Sequence, residues 1–149
     1  MEHLGPVHDR LSAVIVTTPQ AVALMDAMKS LSFTREVKLP VLGIVENMSG
    51  YVCPCCGEIS NVFSTGGGEE MARREGVPFL GALPVDTELV SLLDGAEIAP
   101  KEGSQAEAEK CGFGLARRYQ ETPSGKLFKK VLDTLLDTLL ATERRISSN

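Results

Sequence analysis

No apolar run in this 149-residue chain is long enough to span a bilayer, so a membrane partner is not expected. The opening stretch, MEHLGPVHDR, is charged throughout and lacks the apolar core of an export signal, which points to a cytoplasmic protein. Positive charge is in deficit: 15 Lys and Arg face 20 Asp and Glu, for a formal net charge of −5. A field of that sign repels nucleic acid and anionic membrane surfaces, so neither is expected as a partner. No internal repeat is visible. What remains is ordinary for one globular domain, with 43% hydrophobic and 23% charged residues.

The cysteines are not evenly spread. Three of the four fall in GYVCPCCGEIS, at Cys53, Cys55 and Cys56. In a reducing compartment, clustered thiols bind metal or do redox work more often than they form disulfides. The C-x-x-C spacing of Cys53 and Cys56 can bring two sulfurs to one centre, and Pro54 stiffens the turn between them. From spacing alone three readings stay open: a metal site, a redox dithiol and a structural turn. A redox dithiol of the usual kind sits at a helix N-terminus, whereas GEISNVF does not read as a helix.

The chain alternates between two patterns. LSAVIVTTP, PVLGIVENM and VPFLGALP are short apolar runs that predict strands, the first buried on both faces. Between and after them, QAVALMDAMKSLSF, GGGEEMARREG, DTELVSLLDG and KLFKKVLDTLLDTLLATERR predict helices. In the first helix Ala21, Leu24, Met25, Met28 and Leu31 form the expected inward stripe, with Thr18 and Pro19 as cap and first turn. Asp86 is the expected N-cap of the third, and Gly76 the stop of the second. In the last, Leu127, Val131, Leu135 and Leu139 align, with Leu132 and Leu136 beside them, as a core or dimer contact. Residues 95–122 are expected to be a loop. The alternation predicts an α/β fold with a parallel sheet, yet three short strands make a poor free-standing one. A chain forming the C-terminal part of a larger domain fits that count; an obligate oligomer or a small unusual α/β fold would also do.

VTTPQ, VLGIVENMSGYVCPCC, FSTGGGEEMA and GVPFLGALPVD, in that order, closely resemble the Mrp/ApbC-type P-loop ATPases, and more narrowly their Cfd-type, nucleotide-binding-protein-like cytosolic iron–sulfur scaffolds. The resemblance covers residues 2–94; residues 95–149 fit only as a variable loop and C-terminal helix. It implies a doubly wound, mostly parallel sheet like those of MinD and nitrogenase iron protein. It implies a dimer, or a heteromer with a related larger scaffold ATPase, that holds a transferable 4Fe–4S cluster between subunits and passes it to apo iron–sulfur acceptor proteins. The family pattern C-P-x-C carries its ligands onto Cys53 and Cys56, while Cys55 falls where the pattern is not fixed. Zinc would suit the same thiols as a substitute. Asn47, at the end of a buried strand, and the segment from Pro84 to Asp86 become candidates for an adenine face, since an amide can pair with the base edge. The plainer reading of Asn47 is that it satisfies loop backbone groups.

The chain departs from the family in one major respect. The glycine-rich phosphate loop ending in Lys-Ser or Lys-Thr is absent from these 149 residues, and STGGGEEM has acids where the lysine would stand. The glycine triplet 66–68 is therefore read as a flexible start of a helix, with no catalytic residue assigned. ATP and Mg²⁺ chemistry is expected only of a full-length parent, and the chain is read as an incomplete P-loop domain. Cys111 is read as a spectator, and His3 and His8 as solvated side chains.

Overall fold

The computed structural model describes residues 11–53, 55–60, 65–94 and 116–147. His3, His8, Pro54 and Cys111 lie outside these residues. Strand β1 spans Ala13–Thr17, helix α1 Ala21–Glu36, strand β2 Val41–Val52 and strand β3 Ile59–Ser60. Helix α2 follows at Gly67–Glu75, then strand β4 at Phe79–Val85 and helix α3 at Thr87–Asp94. The described residues 116–121 are helical and belong to α4, and α5 runs over Pro123–Ser147.

The sheet is mostly parallel and β2 is its axis. Along one edge β1 pairs with it in parallel, from Ala13 opposite Val41 to Thr17 opposite Glu46. Along the other β4 does the same, from Ile44 opposite Phe79 to Tyr51 opposite Val85. The fourth strand was not expected. β2 continues past Asn47 to Val52, where β3 folds back and pairs antiparallel, Tyr51 with Ser60 and Val52 with Ile59.

Helices cover both faces, as in a doubly wound α/β fold. α1 and α2 bury Ile15, Ala27, Leu31, Ile44, Met71 and Ala72 against one face. α5 closes the other over Val45 and Leu80 through Val131, with Leu83 and Leu135 beside them. The stripe expected of α5 is thus the one that packs, while Leu132 and Leu136 stay exposed. α5 begins earlier than expected. Pro123 is its first residue, and the Thr122 hydroxyl accepts the Gly125 N–H at 3.0 Å as an N-cap.

Four expectations need correction. β1 is buried on one face only: Ile15 and Thr17 are buried, but Val14 and Val16 are 37% and 62% exposed. α5 packs on β4 and β2 and leaves that face of β1 uncovered among the described residues. In α1 the buried residues are Ala27, Leu31 and Thr34, while Met25 and Met28 face outward. Apolar and polar residues are both spread around this helix, so composition does not single out its inner face. Its N-cap is Gln20, with no side-chain cap bond, and the Thr18 hydroxyl donates to the Gln20 side chain instead. Finally, residues 116–121 are helical, whereas the rest of the expected loop, 95–115, lies outside the described residues.

Candidate functional site

The three clustered cysteines sit on a hairpin at the C-terminal end of β2. The Cys53 N–H donates to the Glu58 carbonyl at 2.9 Å, and the Gly57 N–H to the Cys53 carbonyl at 2.8 Å. Gly57, at φ 72°, takes the left-handed position that closes the turn. Cys53 is half-buried, Cys55 and Cys56 are exposed, and all three thiols are free. The backbone N–H groups of Cys55 and then Cys56, aimed at the Cys53 sulfur, hold its thiol below the ordinary value, with the Cys56 thiol adding to the effect. Such N–H···S bonds favour the thiolate, which is the metal-binding and nucleophilic form. The Cys56 thiol lies 3.9 Å from Glu58 Oε2. Among the described residues, no group of three or more His, Cys, Asp and Glu side chains is arranged around one metal position.

A cleft of about 410 Å³ opens beside Cys53, lined by Gly57, Asp86, Thr87 and Ser91 among others. Asp86 Oδ1 accepts the Leu89 N–H at 3.2 Å, so it caps α3 as expected. Asp86 thereby stands on the cysteine side of the sheet end. Asn47 faces a different groove, of about 330 Å³, with Thr17, Thr18, Asp26 and Ser30. Its Oδ1 accepts the Met48 N–H at 2.9 Å, and the side chain is exposed. Pro84 is buried in β4, next to Leu83, which pairs with Asn47. The sheet therefore brings Asn47 near Pro84 in register, but Asn47 and Asp86 open onto separate clefts.

The glycine triplet starts α2, and its last two members are tightly fitted. Gly66 is left-handed at φ 83°, and a Cβ on Gly68 would stand 3.1 Å from Glu46. The reason is Glu46 itself, which sequence reasoning missed. Its side chain is fully buried in the middle of the sheet. Oε1 accepts the Gly66 N–H at 3.0 Å and the Ser49 hydroxyl at 2.6 Å, and Oε2 accepts the Gly68 N–H at 2.6 Å. The positive end of the α2 dipole thus meets an acidic side chain of the same chain. A phosphate has no place there, in keeping with the acids Glu69 and Glu70 in the first turn. A signal did exist: a lone acid inside the apolar run VLGIVEN, followed about 20 residues later by glycines.

A family model described as ParA, NUBPL iron-transfer P-loop NTPase, matches residues 3–118. The chain is 52% identical over 134 residues to the cytosolic Fe-S cluster assembly factor cfd1 of Aspergillus terreus, covering 83% of this chain and 43% of that protein. It is 46% identical over 130 residues to the cytosolic Fe-S cluster assembly factor NUBP2 of Bos taurus, covering 83% of this chain and 48% of that protein. A solved nucleotide-binding protein from Archaeoglobus fulgidus, in complex with ADP, is 36% identical, with a TM-score of 0.49 over 62% of this chain and 38% of that one. The chain spans less than half the length of these two curated relatives. With the match running over most of its residues, this chain belongs to the NUBPL iron-transfer family of P-loop NTPases.

Proposed function

We propose that the chain is the cluster-carrying part of an iron–sulfur scaffold, which builds a 4Fe–4S cluster between two subunits and hands it to apo acceptor proteins in the cytosol. The observation that carries this reading is the hairpin at the end of β2, which presents Cys53 and Cys56 as free thiols, with Cys53 half-buried and Cys56 exposed. A cubane takes about four cysteine ligands, and two chains related by a two-fold axis supply them from Cys53 and Cys56 alone. Exposure of the turn suits cargo that is passed on. The cluster is the substrate of this chemistry, and the hairpin's task is to hold it at the subunit seam and let it go.

The open flank of β1 supports the further reading that residues 1–149 complete a larger P-loop domain. Val14 and Val16 lie bare on a strand whose other face is core. The phosphate loop, ATP and Mg²⁺ belong to that larger protein. The described residues do not fit a nucleotide's phosphates, because the α2 N-terminus is filled by Glu46. Asn47 then reads the adenine, with Pro84 as part of the sheet behind it. Asp86, on the cysteine cleft, caps α3 and lines the approach to the cluster. The protein works as a homodimer or with a related larger scaffold ATPase.

A redox role for Cys53 and Cys56 has less support, because among the described residues the pair lies in the turn between β2 and β3 and does not itself open a helix. Zinc binding is the competitor, since a shared set of four thiolates suits it equally. Anaerobic reconstitution with iron and sulfide, followed by metal analysis and a mass measurement, tests the proposal. Cluster bound to a pair of chains supports it. A chain that takes only zinc, or takes iron as a monomer, refutes it.

A further inference from the structure

β2 does not run smoothly from Asn47 to the cysteines. Asn47 pairs with Leu83 and Tyr51 with Val85, so four steps along β2 match two along β4. The extra residues form a bulge at 48–50, in which Met48, at φ 57°, and Gly50, at φ 88°, are both left-handed. A methionine in that region is unfavourable unless its surroundings hold it there. A bulge also redirects the strand that leaves it, and here that strand is Tyr51–Val52, which leads into Cys53.

The bulge is held from below. The Ser49 hydroxyl donates to Glu46 Oε1 at 2.6 Å, and Asn47 Oδ1 accepts the Met48 N–H at 2.9 Å. Glu46 is itself immobilised by the N–H groups of Gly66 and Gly68, and a Cβ at Gly68 would leave 3.1 Å to its Cβ and Oε2. A continuous line of contacts therefore joins the N-terminus of α2 to Glu46, to Ser49 and to the turn before the cysteines. A buried acid with three donors is costly to place unless each contact is used, which makes it a stiff anchor.

We infer that Glu46 is a positioning residue for the cysteine hairpin, clamping the 48–50 bulge to the start of α2 and so fixing where Cys53 is presented. For its effect on cluster handling, the inference rests on the scaffold reading above. The structural part stands without it.

The test uses the full chain, apo and reconstituted, in three forms: wild type, Glu46→Gln and Ser49→Ala. Glu46→Gln puts an amide N–H₂ where an N–H already points. Ser49→Ala cuts only the link from Glu46 to the bulge. In the apo protein, amide hydrogen exchange over 49–53 should quicken by about tenfold in both, as expected for one lost charge-assisted bond. Residues 65–70 should quicken in Glu46→Gln and stay unchanged in Ser49→Ala, and β1 should stay unchanged in Ser49→Ala. After reconstitution, cluster loss to an iron chelator should be faster by a similar factor in both variants. Exchange over 49–53 unchanged in Ser49→Ala overturns the inference, even if Glu46→Gln fails to fold. Exchange that quickens while chelation rates stay equal overturns the link to cluster handling. A wild-type chain that takes up no cluster counts against the scaffold reading, while the exchange data still decide the role of Glu46.

Discussion

Gly68 donates its backbone N–H to Glu46 Oε2 at 2.6 Å, so the N-terminus of α2 is already occupied by a carboxyl group of the same chain. Glycine-rich starts of helices bind phosphate when their N–H groups are open to solvent, and here those of Gly66 and Gly68 are taken by Glu46. With no lysine in the STGGGEEM segment either, nothing here neutralises a triphosphate. The chain of 149 residues should release phosphate from ATP at no more than the buffer rate. Turnover that persists through stringent purification, in proportion to the amount of chain, would show a phosphate site elsewhere.

Gly68→Ala should destabilise the fold. Its Cβ would lie 3.1 Å from Glu46 and 3.2 Å from Thr17 Cγ2, both in the packed middle of the sheet. Overpacking of this sort costs about 1–3 kcal/mol. Urea unfolding would register it as a lower midpoint at unchanged slope, and a midpoint equal to wild type would mean the glycine is there for another reason.

Val16 gives a test of domain completion. It is 62% exposed on the bare side of β1. Val16→Asp should therefore change the stability of this chain by roughly 0.5 kcal/mol or less. In a full-length relative, where we expect that face to be covered, the same change should cost about 2 kcal/mol or more, since it would bury an unpaired acid. Equal costs in the two settings would count against the proposed completion of the sheet along β1.

Asn47 should act on the base and not on the phosphates. In a full-length protein, Asn47→Ala should weaken ATP by about 1 kcal/mol or more while leaving inorganic triphosphate nearly unaffected. Calorimetry with both ligands measures this. Parallel losses would assign Asn47 to loop structure, a role its contact with the Met48 N–H also permits.

Much of the α/β architecture was legible because two periods carry it. The apolar runs LSAVIVTTP, PVLGIVENM and VPFLGALP hold the parallel strands, though β2 runs on past Met48 to Val52, and the Val131 and Leu135 stripe is the packed side of α5. The inner face of α1 was not legible. Val22, Met25, Met28 and Phe33 are exposed apolar residues on a helix whose apolar and polar residues are mixed on every side. The hairpin strand Ile59–Ser60 is two residues long and has no pattern of its own. At the candidate site, the cysteines and the α3 cap at Asp86 were visible as residue types. Glu46 showed only as a lone acid in an apolar run, and its role did not, because its partners are backbone N–H groups 20 and 22 residues away and sequence does not display which amides converge. The separation of Asn47 from Asp86 is likewise a matter of which way each strand end turns.

The central claim is that Cys53 and Cys56 of two chains hold one cluster, and the reconstituted cysteine variants test it most directly. Iron and sulfide counts should be taken together with the mass in solution for wild type, Cys53→Ala, Cys55→Ala and Cys56→Ala. Wild type and Cys55→Ala should carry about four irons and four sulfides per pair of chains and run as dimers. Cys53→Ala and Cys56→Ala should each carry almost none and run as monomers. A Cys55→Ala chain without cluster beside a Cys53→Ala chain that keeps it, or a cluster held by a single wild-type chain, would contradict the account.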